Sequence, residues 1–137
     1  MSDIDSILCV CVDRVLEQMF FETAIPSETV PTGETLSACV AFDGEASGRL
    51  EVLAGVSLAR ELAASFLGED PDALEMERDV YPVVVEMANM IGGTFLSQWR
   101  PDLRFHILPV APAQRDVPAW QNFAVAGGIL STSLVIN

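Results

Sequence analysis

The chain has 137 residues, half of them apolar, and carries 20 Asp plus Glu against seven Lys plus Arg, for a formal charge of −13. Length and apolar content suit one domain, residues 1–137, with a sizeable core. So large an excess of negative charge repels a phosphate polymer, and nucleic acid is not an expected partner.

No apolar run approaches the roughly 20 residues needed to span a bilayer. The start, Met1-Ser2-Asp3-Ile4-Asp5, lacks the basic stretch of a signal peptide. A cytoplasmic protein without membrane insertion is therefore expected. Cys9, Cys11 and Cys39 are odd in number and spaced neither as a zinc site nor as a redox pair, so they read as reduced, buried thiols.

In chain order, Ile4 to Phe21 reads as a helix, because Ile4, Leu8, Val12, Val15, Leu16 and Met19 recur at helical spacing. Glu22 to Thr35, with Pro26, Pro31 and Gly33, reads as a loop or ragged edge segment. Leu36, Ala38, Val40 and Phe42 alternate with smaller or polar residues. The alternation resumes at Leu50, Val52 and Ala54 beyond Asp43-Gly44, which predicts a hairpin with one buried face. Ser57 is placed to cap a helix over Leu58–Leu67, with Gly68 just past its end, and this helix is expected to cover the hairpin. The acidic stretch Glu69 to Asp79 reads as a solvated connector whose last residue caps the next helix.

That next helix is expected to run from Asp79 to about Trp99 or Arg100, with Pro82 in its first turn. Val80, Val84, Met87, Ile91 and Phe95 form its apolar stripe, while Pro82, Glu86, Asn89 and Gly93 form a polar row at spacings of four, three and four. Gly92 and Gly93 each cost a helix about 1 kcal/mol relative to alanine, so close approach by another backbone or by a partner is implied. Three more strands are expected: one through Leu103, Phe105 and Ile107 that ends near Pro109 or Pro112, then about Gln121–Ala126 and Ile129–Ile136, the last two joined by a turn at Gly127-Gly128, with a loop over Ala113–Pro118. A long helix followed by strands thus occurs twice. If the halves are related, Asp13, Glu17 and Phe20 correspond to Pro82, Glu86 and Asn89, so that only the second half keeps the amide and the first has become core or interface.

The single histidine, His106, has no metal-ligand partners at useful spacing and reads as an outward strand residue. No Ser-His-Asp order, phosphate loop, zinc motif or calcium loop stands out.

The residues resemble the CheC/CheX/FliY chemotaxis phosphatases, whose signature is Asp or Ser, three residues, Glu, two residues, Asn, 22 residues and Pro. Glu86, Asn89 and Pro112 match that spacing, and the required Pro, at about 5% usage, cuts chance agreement roughly twentyfold. The order of elements and the run Asn-Met-Ile-Gly-Gly agree, and a single motif makes the CheX type the nearer resemblance. The first signature position is Pro82, where the family has Asp or Ser.

The resemblance implies an α+β domain with an antiparallel-rich sheet packed on two long helices, and a homodimer. It implies a phosphatase acting on the aspartyl phosphate of a response-regulator receiver domain. In that reaction Asn89 positions the attacking water and Glu86 docks to the receiver lysine, while Pro82, Val85 and Gly93 meet the partner. No cofactor of its own is implied, since magnesium belongs to the receiver. The alternative is a CheX-like module that binds a receiver or another signalling partner without catalysis.

Overall fold

The computed structural model describes residues 3–111 and 120–137. Helix α1 spans Asp3–Phe20 and buries Leu8, Cys11, Val12, Val15, Leu16 and Phe20 along one stripe. It ends at Phe21, in the left-handed region at φ 59°, where the Glu22 N–H closes back onto the Leu16 carbonyl at 3.1 Å. Strand β1 (Ile25–Ser27) follows, then the hairpin β2 (Thr35–Gly44) and β3 (Gly48–Gly55), helix α2 (Val56–Leu67), helix α3 (Tyr81–Trp99), and strands β4 (Phe105–Val110), β5 (Gln121–Val125) and β6 (Gly128–Ile136).

The strands form one sheet in the order β1-β5-β6-β3-β2-β4, every neighbouring pair antiparallel. Exchanging α1-β1-β2-β3 with α3-β4-β5-β6 maps this order onto itself. The duplication suggested by the sequence is thus a two-fold relation of topology about the β3–β6 pair. It does not extend to the side chains, because Phe20 is fully buried and stacks on Phe66 at 5.3 Å. The proposed counterpart of Asn89 in the first half is a core residue.

Alternation along the strands sends Ala38, Val40, Phe42, Leu50, Val52, Ala54, Phe123, Val125 and Leu130 into one core with the helices. The sheet register puts Cys39, Glu51 and Ser133 in line on the opposite face, with Ser131 beside Leu53. These four are also buried, and Arg49 reaches the Cys39 sulfur at 3.4 Å and the Ala111 carbonyl at 3.0 Å on that side. The cysteines are free, and burial pushes all three thiols above their ordinary range.

Several local expectations need correction. Gly55, not Ser57, stands at the N-cap of α2 and no side chain caps it, because Ser57 already lies inside the helix. The acidic stretch is more than a connector. Pro71–Ala73 forms a 3₁₀ turn and Met76–Val80 a π-helical turn, with Leu74 buried and Arg60 donating to the carbonyls of Pro71 at 3.3 Å and Leu74 at 2.6 Å. Asp79 does not cap α3. Its carboxylate accepts the Glu75 N–H at 2.8 Å and pairs with Arg78, closing the π turn instead.

Strand β4 starts two residues later than Leu103 and tolerates Pro109 because it is an edge strand. The last hairpin turns on Ala126 and Gly127, which have φ of 47° and 81°. Gly128 has instead become the first residue of β6, where a side chain would press on Leu58, its Cβ only 3.0 Å from that residue's own. The Ala113–Pro118 loop and Pro112 lie outside the described residues.

Candidate functional site

Helix α3 is built as a divided surface. Val80, Val84, Met87, Ile91 and Phe95 are at most 1% exposed, as their spacing predicts, and each such burial contributes about 2 kcal/mol. On the other side Pro82 and Glu86 are exposed, and Val85, Asn89 and Gly93 are half-buried. The five predicted site residues therefore share one outward strip of a single helix, the two polar ones on adjacent turns.

Neither the Glu86 carboxylate nor the Asn89 carboxamide has a hydrogen-bond partner among the described residues. Both groups are available to an incoming molecule. A helix that packs through its opposite side holds such residues rigidly while exposing their polar ends, which is the condition for positioning a ligand without reorganisation.

The two glycines separate. A β-carbon on Gly92 would lie 3.3 Å from Val40 Cγ2 and 3.8 Å from Leu50 Cδ2, so Gly92 allows the helix to sit close on the sheet. At Gly93 the nearest atom would be Ile107 Cδ1 at 3.9 Å, an ordinary contact. Packing within the chain explains Gly92 and leaves Gly93 unrestricted.

Beyond Gly93 the strip opens into a groove of about 350 Å³ between α3 and edge strand β4, bounded by Gly93, Leu96, Ser97, Arg100, Pro101, Leu103, Phe105 and Ile107. Its wall is stiffened by aromatics: Trp99 stacks on Phe95 at 5.6 Å and on Phe105 at 6.4 Å, and the Arg100 guanidinium lies 5.0 Å from the Trp99 ring centre. In the sequence, Arg100 stands out only as a candidate for the helix end. Its place seven residues after Gly93, on the same side of the helix, was the available signal. A larger hollow, about 500 Å³ between residues 29–34, 55–58 and 127–129, contains no residue of α3.

His106 is exposed, with Nδ1 3.3 Å from an Asp43 carboxylate oxygen, and it takes no part in the α3 strip. Among the described residues no group of three or more His, Cys, Asp or Glu is placed to hold a metal ion, and no helix is long and apolar enough to cross a membrane.

A six-stranded antiparallel sheet backed by helices is the fold of the solved CheX structures. Residues 36–111 match the family model described as chemotaxis phosphatase CheX, and the chain belongs to that family. It is similar in fold to the chemotaxis protein CheX of Vibrio vulnificus, with a TM-score of 0.75 at 18% identity over 99% of this chain and 97% of that one. The CheX–CheY–BeF3–Mg complex of Borrelia burgdorferi is similar at a TM-score of 0.71 and 18% identity, covering 98% of both chains. The FliM middle domain of Vibrio alginolyticus shares the fold more distantly, at 0.58 and 14%, over 96% of this chain and 90% of that one. No curated relative matches the chain.

Proposed function

We propose that the protein hydrolyses the aspartyl phosphate of a CheY-like receiver domain, with α3 as the element that enters the partner's site. The observation that carries this reading is the outward pair of Glu86 and Asn89, without a hydrogen-bond partner among the described residues, on a helix whose other side is locked into the core. Membership in a phosphatase family and similarity to a CheX solved with CheY support it.

The chemistry follows from the two residue types. In-line attack of water on an acyl phosphate needs little covalent help, and positioning with charge stabilisation supplies most of the acceleration. The Asn89 carboxamide both donates and accepts, so its oxygen accepts a hydrogen bond from a water and leaves that water's lone pair directed at phosphorus. Glu86, one turn earlier, pairs with the receiver lysine and sets the register of the helix against the site. Pro82, Val85 and Gly93 form the contact surface around them, and Gly93 supplies clearance. Magnesium comes with the receiver, and the phosphatase brings no cofactor.

Pro82 replaces the Asp or Ser of the family signature, so no hydroxyl or carboxylate is available one turn before Glu86. That single position favours the second reading, a module that binds the phosphorylated receiver without hastening its decay. The two separate in one experiment: loss of label from a phosphorylated CheY-type receiver, with and without this protein. Accelerated decay is expected, and binding with unchanged decay would leave only the second reading. A homodimer belongs to the same proposal and is checked by light scattering on the purified chain.

A further inference from the structure

Three Arg side chains among the described residues are already committed. Arg49 bonds Cys39 and Ala111, Arg60 the carbonyls of Pro71 and Leu74, and Arg78 the carboxylates of Glu75 and Asp79. Arg14, Arg100 and Arg104 are exposed and have no ion-pair partner among the described residues. Of these, Arg100 borders the groove that continues the Glu86–Asn89–Gly93 strip, and Arg104 lies four residues further on. On a chain of charge −13, this end of α3 is where the strip meets positive charge without an ion-pair partner among the described residues.

We propose that the groove between α3 and β4 docks a carboxylate-bearing segment of the receiver partner, gripped by Arg100, with an apolar side chain of the same segment seated on Leu96, Phe105 and Ile107. The inference rests on the receiver-directed reading of the α3 strip. A magnesium-bound aspartyl phosphate is held among carboxylates, because hard cations take oxygen ligands, so an acidic chain approaching it meets repulsion. A guanidinium on the docking strip converts part of that repulsion into a directed, two-pronged hydrogen bond. The contact of the Arg100 guanidinium with the Trp99 ring, 5.0 Å from its centre, reduces the side-chain freedom that binding must remove.

The geometry also fixes a register. Arg100, which caps the end of α3, stands eleven positions after Asn89, about 16 Å along the helix. The receiver's carboxylate should therefore lie about that far from its phosphorylated residue, along the line of α3. Two contacts so separated orient the helix in the partner's site, which one contact cannot do. Arg100 is thus a binding residue and not a catalytic one.

The test uses the full chain and a panel of CheY-type receiver domains loaded with beryllofluoride and magnesium, with affinity read from Trp fluorescence and turnover from phosphorylated receiver. Arg100→Glu should weaken binding about tenfold and raise KM accordingly, with kcat moved less than twofold, while Arg100→Lys, which keeps the charge and loses the fork, should weaken it about threefold. Ser97→Glu, an exposed change on the groove wall, should also weaken binding, whereas Arg14→Glu, the same charge change on α1, should shift it less than twofold. Equal weakening by Arg100→Glu and Arg14→Glu would overturn the groove in favour of a net-charge effect, and unchanged affinity in Arg100→Glu would overturn it outright. If the wild-type chain neither binds any receiver of the panel nor hastens its dephosphorylation, the receiver reading and this inference fall together.

Discussion

The α-carbon of Gly92 faces Val40 so closely that a β-carbon would stand 3.3 Å from Val40 Cγ2, while its neighbour Gly93 meets nothing nearer than Ile107 at 3.9 Å. Two adjacent glycines in one helix thus answer to different constraints. Gly93→Ala should raise stability by about 1 kcal/mol, since alanine is the better helix former and the space exists, and Tm should rise by about 3 °C. Gly92→Val should lower stability by about 2 kcal/mol, because Val40 and Leu50 sit in a packed core. Thermal unfolding of both variants decides the matter, and a destabilised Gly93→Ala would show that this glycine too is structural.

Asn89→Ala tests the water-positioning role. Dephosphorylation should fall at least about a hundredfold, as for loss of a group acting in the transition state, while far-UV circular dichroism and affinity for the beryllofluoride-loaded receiver stay close to wild type. Residual activity within a few-fold of wild type would remove Asn89 from the reaction.

Pro82 is exposed in the first turn of α3, where proline costs the helix nothing. Pro82→Asp and Pro82→Ser restore the family signature one turn before Glu86, and either is expected to increase the dephosphorylation rate severalfold. An aspartate there also places negative charge at the helix start, which favours folding. No gain in rate from either variant would mean that the departure at this position is without consequence for the reaction.

Thr132 lies on the core side of β6, opposite Val52, and its hydroxyl is buried without a hydrogen-bond partner among the described residues. Thr132→Val keeps the shape and removes the stranded oxygen. Stability should increase by about 1 kcal/mol, read as a higher urea midpoint with an unchanged slope.

The π turn before α3 should respond to acid. The side-chain bond from Arg78, followed by the Glu75 N–H, holds the Asp79 carboxyl below its ordinary range. A depressed carboxylate stabilises the fold above its unfolded pKa, and that contribution is lost as pH falls through the folded value. Asp79→Asn should therefore lower Tm at neutral pH, and the difference from wild type should shrink once pH drops below about 4. A difference that persists undiminished at low pH would assign the effect to packing.

Much of the candidate site was legible in the sequence because it belongs to one helix. Which residues of α3 face inward depends on a 3.6-residue period that the chain carries locally, and the buried stripe from Val80 to Phe95 and the outward strip from Pro82 to Gly93 follow from it. The hairpin of β2 and β3 was readable for the same reason, through its period of two. Single-residue assignments at element ends failed where neighbours compete for one role: Gly55 displaced Ser57 as the cap of α2, and Ala126 joined Gly127 in the last turn because Gly128 was needed against Leu58. Asp79 offered its carboxylate to the nearer Glu75 amide before α3 could use it.

The sequence by itself determined the α3 strip, since helical spacing alone brings Glu86, Asn89 and Gly93 to one side. The strand order, the pairing of β1 with β5, the separate duties of Gly92 and Gly93, and the groove that joins Arg100 to Phe105 and Ile107 were decided only in the tertiary structure. Each of these depends on which distant segments come to lie side by side. Gly92 meets a residue more than 50 positions earlier in the chain, and no local period encodes that contact.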